Sequence, residues 1–305
     1  MGAFAQTYPA KTVRLVVPFA PGGGTDLVGR TIATGLTASL GQTFVVENRG
    51  GAGGVIGADL VAKSPADGYT LVLGSPGSLT INPNLNPKMP YDTLRDFAPI
   101  SLATMSPFLL AVHPSLPVKN VKELIAFARA HPGRLNYGSG GTGSVSHLST
   151  EYFKALTQTD LVHVPYKGSS LSLTDTIAGH LQVMLDNLPV IQPHTRSGKL
   201  RLLGVGSTTR SALIPQAATI AEAGVPGFEA TTAFGVLAPA RTPLEIVNRL
   251  SQEIQRILQS AEIKERLAHQ GLEAVGSTPQ QYDAHIRAEL AKYARIVKSA
   301  GIKLE

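Results

Sequence analysis

The sequence predicts an α/β fold in two lobes, and three observations carry that expectation. Short apolar strands alternate with helices across glycine-rich turns, the mark of a parallel α/β sheet. The series starts twice, near residue 13 and again near residue 121. Two extended segments of similar length and polarity, 102–112 and 231–238, stand where the chain would cross between lobes. A length of 305 residues agrees with two domains of roughly 100–200 residues each. The expected lobes are 8–103 with 232–305, and 104–231.

The first strand, 13–19, is β-branched and apolar and runs into Ala20-Pro21-Gly22-Gly23-Gly24-Thr25-Asp26. A helix is expected over 25–40, with Val28, Ile32, Leu36 and Leu40 on one face and Gly41 as its stop. A strand at 43–47, a glycine loop at 50–54, a helix at 55–63 and a strand at 69–73 follow. After the first crossing, Pro114 and Pro117 turn the chain into a helix at 121–130. The second series then reads strand 135–137, glycine turn 138–144, helix 146–156, strand 161–164, helix 170–179, and strands 182–185 and 200–206. The C-terminal third is helical. Thr242-Pro243-Leu244-Glu245 and Thr278-Pro279-Gln280-Gln281 carry N-terminal cap chemistry. Ile246, Leu250, Ile254, Ile257 and Leu258 form one apolar stripe, and Ile286, Leu290, Tyr293 and Val297 another, ended by Gly301.

Composition excludes several classes. Hydrophobic residues make up 43% and charged residues 16%, which rules out a disordered chain. No stretch reaches the ~18 apolar residues of a membrane span. With no Cys there is no disulfide, thiolate nucleophile or cysteine zinc site. The net charge of +6 is scattered, and with no Trp and 6% aromatics no nucleic-acid surface is expected. Near the start, Ala3-Phe4-Ala5 fits either the end of a secretory signal or an ordinary N-terminus.

Three glycine-rich turns follow strands, at 21–26, 50–54 and 138–144. Such a turn exposes amides at a helix N-terminus, where the helix dipole favours an anion. One turn alone is ordinary loop chemistry. Two, one in each expected lobe, point to a shared anion site. Gly138-Ser139-Gly140-Gly141-Thr142-Gly143 matches G-x-G-x-x-G, but Asp160 precedes the next strand instead of ending it, so the ribose contact of a dinucleotide site is missing. Walker A, G-x-S-x-G and H-E-x-x-H signatures are absent. His147, Asp26 and Asp186 lie beside the expected site, each fitting either a ligand contact or a support for a turn.

These residues resemble the Bug family, the periplasmic solute-binding components of tripartite tricarboxylate transporters. The resemblance rests on Val17–Asp26, Val46–Gly54, Ala66–Leu71, Tyr137–Ser144 with His147, His163–Gly168, Met184–Asn187, Gly198–Arg201 and Gly224–Phe228, and covers nearly the whole chain from Tyr8. It implies a two-lobed, type II periplasmic-binding-protein (Venus-flytrap) fold with the ligand cleft between the lobes. It also implies an exported, non-enzymatic protein without cofactor or metal, a monomer whose partners are a small organic carboxylate and transporter membrane subunits. Carried over, Phe19, Ala20, Pro21, Gly22, Gly23 and Asp26 serve one lobe, with Ser75 and Ser78 nearby. Ser139, Gly140, Gly141, Thr142, Gly143, Ser144 and His147 serve the other, joined by Tyr166, Lys167 and Asp186. Leu171 departs from the Pro or Gly frequent in relatives. Few expected pocket residues are cations, which favours a mono- or dicarboxylate over citrate. Presentation of the bound acid to a signalling receptor is the alternative within the family, and an enzyme acting on an anionic substrate the alternative outside it.

Overall fold

The structure, a computed structural model, describes residues 8–19, 21–22, 24–166 and 168–300. The Ala3–Ala5 triplet, Ala20, Gly23, Lys167 and Gly301 lie outside the described residues. The chain divides into two compact units. Unit 1 runs to Met105 and resumes over Ala233–Ala291; unit 2 is Ser106–Thr232 with the chain from Lys292 onward. The sequence expectation kept the whole C-terminal helix in the first lobe, whereas its last turns group with unit 2.

Unit 1 begins with β1 (Val13–Val17), α1 (Gly24–Leu40), β2 (Phe44–Asn48), α2 (Val55–Ala62) and β3 (Thr70–Gly74). Two short helices follow, α3 (Asn82–Leu85) and α4 (Thr93–Asp96), and then the long crossing strand β4 (Phe97–Val112). Unit 2 contains α5 (Val121–Ala130), β5 (Leu135–Ser139), α6 (Val145–Thr157), β6 (Leu161–Pro165), α7 (Ser169–Ile177), β7 (Val183–Asn187), α8 (Leu188–Arg196) and β8 (Arg201–Val205). The chain returns through β9 (Thr231–Pro239) to α9 (Leu244–Gln259), α10 (Ala261–His269), β10 (Glu273–Ala274) and α11 (Pro279–Ala300).

Within each unit the strand–turn–helix series gives the parallel pairing expected. β1 runs parallel to β2 and β3, and β5 runs parallel to β6 and β7. The sheets are nevertheless mixed, because both crossing strands run against their neighbours. β9 pairs antiparallel with β3, and β4 pairs antiparallel with β7, β8 and β10. A strand that enters a parallel sheet from the opposite end has no other orientation available, and the local pattern of hydrophobicity does not encode that direction.

The inner parallel strands β1, β3, β5 and β7 are largely buried, whereas β2 and β6 are partly exposed. In unit 1, Leu15, Leu71 and Leu73 pack with Ile32 and Leu36 of α1 and Ile254 and Leu258 of α9. In unit 2, Phe108, Tyr137 and Val183 pack with Phe153 and Phe228. At roughly 1.5–3 kcal/mol for each fully buried side chain, these clusters anchor the strand ends that carry the glycine turns.

Two local expectations change. Thr242 does not cap α9: Pro243 occupies the cap position, and Thr242 Oγ1 is buried with no partner among the described residues. Thr278 does close a capping box, with Gln281 N–H donating to Thr278 Oγ1 and Thr278 N–H donating to Gln281 Oε1. α8 breaks the sequence pattern because it carries Pro193 in its interior and Pro189 in its first turn.

Candidate functional site

In unit 2 the glycine turn sits between the end of β5 and the start of α6. Ser144 caps α6, its Oγ accepting from His147 N–H at 3.2 Å. Gly141 has φ +123°, and a Cβ there would lie 3.0 Å from Tyr166 O, so both backbone and space demand glycine. Gly138 packs more closely still, since a Cβ there would run into Ser172 Oγ.

Most of the glycine amides are already engaged. Gly140 N–H donates to Ser146 Oγ (3.0 Å), Gly141 N–H to Ser139 Oγ (3.1 Å), and Gly143 N–H to His147 Nδ1 (3.1 Å). Ser144 N–H donates to Gly141 O. These glycines therefore shape the turn. The turn's remaining amides are those of Thr142 at its tip and of Val145 and Ser146, which have no acceptor one turn back within the helix, as at any helix start. Thr142 is exposed at the tip of the turn.

Asp186 ends β7 and is buried. Its carboxylate accepts from Ser169 Oγ (2.6 Å), Asn187 N–H (2.7 Å) and the Ser146 hydroxyl. Burial raises its pKa, and those three hydrogen bonds oppose the rise. Asp186 thus ties the starts of α6 and α7 together from behind the turn. Ser169 also packs on Gly140, its Oγ 3.3 Å from the position of a Cβ there. Two helix N-termini consequently flank one turn, a favourable setting for an anion.

Beneath the turn, His147 and His163 stack with centroids 3.9 Å apart and planes 10° apart. His163 Nε2 is 2.7 Å from Ser139 Oγ. Desolvation lowers both imidazole pKa values, that of His163 to about 4, where His147 adds to the effect. Tyr166 directs its hydroxyl to Asp175 Oδ2 at 2.5 Å, which pushes the phenol up to about 12.

In unit 1 the first turn is built differently. Asp26 is buried at the start of α1 and accepts from Gly22 N–H (3.0 Å), Arg30 Nε (2.9 Å) and Asn48 Nδ2 (2.9 Å). Asn48 Nδ2 also donates to Phe19 O at 3.0 Å. The hydrogen bond from Arg30 leads the effects that bring the Asp26 carboxyl down to about 2. Pro21 and Gly22 are exposed at the tip. The half-buried Phe19 ring packs over Gly54, and Ser78 lies on the same glycine. Ser75 N–H donates to Ser78 Oγ, and the two hydroxyls are 3.4 Å apart and buried. The second glycine loop, at 50–54, thereby joins the first turn.

Sequence reasoning located both turns and the residues in them. It missed Ser146, Ser169, His163 and Asn48 as organisers. The two serines carry a signal, since each stands in the first turn of a helix after a glycine segment. His163 is 24 residues from Ser139 in sequence, and only the β5–β6 register brings them together.

Two α/β units, each with glycine turns between strand ends and helix starts, have the architecture of solute-binding proteins of the periplasmic type. The family model of the tripartite tricarboxylate transporter family receptor, TctC, matches residues 28–302, and the chain belongs to that family. It is 41% identical to Protein BugT of Bordetella pertussis over 302 residues, covering 99% of this chain and 93% of that protein. Among solved structures, R. palustris Rpa4515 with adipate is 42% identical, with a TM-score of 0.84 over 97% of this chain and 99% of that one. MatC from Rhodopseudomonas palustris with bound malate is 32% identical, with a TM-score of 0.79 over 95% of this chain and 100% of that one. Among the described residues no helix is long and apolar enough to cross a membrane.

Proposed function

We propose that the protein captures a small organic carboxylate in the periplasm and delivers it, as a monomer, to the membrane subunits of a tripartite tricarboxylate transporter. The observation that carries this reading is the unit 2 turn, whose glycine amides are engaged internally, so that an anion would meet the first-turn amides of α6, which have no acceptor within the helix. Hydrogen bonds to a charged group contribute about 1.5–3 kcal/mol each. A few of them, less the cost of immobilising a small ligand, reach the ~8 kcal/mol of micromolar binding. Relatives with bound adipate and malate support a carboxylate. A mono- or dicarboxylate, aliphatic or aromatic, fits better than citrate, because each turn is braced by a buried aspartate, Asp26 or Asp186, that opposes a high negative charge.

A thermal-shift screen on protein that has been unfolded and refolded tests the reading. The panel is adipate, malate, benzoate, glutamate, citrate, phosphate and a nucleotide. Ligand at a hundred times its Kd stabilises by about 2.7 kcal/mol. A shift with a mono- or dicarboxylate recovered unchanged is expected. Response only to phosphate or nucleotide, or consumption of the acid, would overturn it.

A further inference from the structure

The stacked imidazoles of unit 2 are not contact residues in any obvious sense, yet both ends of the anion turn hang on them. His147 Nδ1 accepts from Gly143 N–H at 3.1 Å. His163 Nε2 meets Ser139 Oγ at 2.7 Å, and Ser139 Oγ in turn accepts from Gly141 N–H. A ring nitrogen that accepts an amide hydrogen bond must be bare, so the uncharged His147 ring carries its one proton on Nε2. We propose that His147 is a positioning residue: its uncharged ring fixes the turn in the ligand-binding shape, and protonation at Nδ1 releases it. The proposal rests on the carboxylate-binding reading and adds to it the residue that sets its pH limit.

The surroundings favour the uncharged ring. His147 is buried at 6% exposure and stacks face to face on His163, so a charge on one ring opposes a charge on the other. His163 stacks in turn on Tyr137, whose hydroxyl donates to Glu151 Oε1 at 2.6 Å. Glu151 is the group that would welcome an imidazolium, but Lys154 Nζ holds the same oxygen at 2.8 Å and offsets it. The groups acting on His147 are thus His163 from β6, Tyr137 from β5, and Glu151 and Lys154 from its own helix. Desolvation is the leading cause of its lowered pKa. Once Nδ1 is protonated it becomes a donor facing the Gly143 amide, a donor against a donor, and Gly143, at φ +78°, loses the partner that pins it.

The test compares wild type with His147→Asn and His147→Ala by calorimetry with adipate, from about pH 7.5 down to about pH 5. The Asn Oδ1 stands one bond from Cγ, as Nδ1 does, and accepts the amide hydrogen bond without titrating. His147→Ala is expected to weaken binding ~10-fold at the upper pH, and His147→Asn to restore most of that. Toward the lower pH, wild type should lose affinity relative to His147→Asn by at most ~30-fold, the limit for an unshifted imidazole. The ligand's own titration is common to both proteins and cancels. Parallel pH profiles, or no recovery in His147→Asn, would overturn the proposal. Nitrogen NMR of the ligand-free wild type separates this from failure of the binding reading. A bare His147 Nδ1 at the upper pH, with the Gly143 amide moving at the same midpoint as that ring, supports the proposal even if adipate does not bind. A protonated Nδ1 there contradicts it.

Discussion

The two glycine turns do the same structural job with opposite chemistry. In unit 1 Gly22 is held by Asp26, which is ion-paired to Arg30 and accepts from Asn48. In unit 2 the turn is held by serines and uncharged imidazoles, with Asp186 set one layer further back. The difference lies in where the charge sits. Arg30 is 55% exposed, so water screens the unit 1 pair, whereas Asp186 is buried and depends on Ser146, Ser169 and Asn187. The serine and imidazole brace puts no charge at the tip of the turn itself, with Asp186 behind the starts of α6 and α7. The charged brace at Asp26 already occupies the start of α1 with a carboxylate. On the proposed reading, the unit 2 turn is where the carboxylate is expected to bind more strongly.

That contrast can be broken at its buried end first. Asp186→Ala strips the shared acceptor from two hydroxyls and an amide, and should lower stability by about 3 kcal/mol in urea unfolding. Asp186→Asn, which keeps one acceptor oxygen, should fall between. Equal losses for Asp186→Ala and Asp26→Ala would dissolve the distinction. Ser146→Ala removes the acceptor of the Gly140 amide and should weaken carboxylate binding ~10-fold in calorimetry.

Asp26→Ala is expected to cost only about 1–2 kcal/mol, since its ionic partner is solvent-screened. Its pH signature fixes the sign. The folded carboxyl is depressed to about 2, so its contribution is complete above the unfolded value of about 3.9 and is lost as pH falls through about 2. The stability gap between wild type and Asp26→Ala should close across that window, and a gap unchanged there would show that Asp26 acts by packing alone. The smallest effect belongs to Tyr166→Phe. Its hydroxyl points to Asp175, so stability should fall by about 1 kcal/mol with ligand affinity changed less than about twofold. A tenfold loss of affinity would move that hydroxyl into the binding site.

Much of this architecture is legible in the sequence because it is written in short-range signals. β-branched runs, glycine turns and helical stripes mark β1, α1, β5 and α6 to within a residue or two. Strand direction is different: nothing local in 102–112 or 231–238 tells an antiparallel crossing from a parallel strand. The binding turn was visible, but its free donors were not. Counting glycines suggests that Gly140, Gly141 and Gly143 offer their amides, while the fold spends those amides on Ser146, Ser139 and His147. Likewise Asp186 looks like a turn residue until β7 places it behind two helix starts. Thr242 failed as a cap for the opposite reason, since Pro243 took the boundary position itself.

The most direct measurement is a crystal structure of the refolded protein with adipate. The account predicts a carboxylate oxygen about 2.7–3.2 Å from the Val145 and Ser146 amides, with no lysine or arginine side chain paired to it. A carboxylate seated on a cationic side chain, or adipate absent from the unit 2 turn, would contradict it.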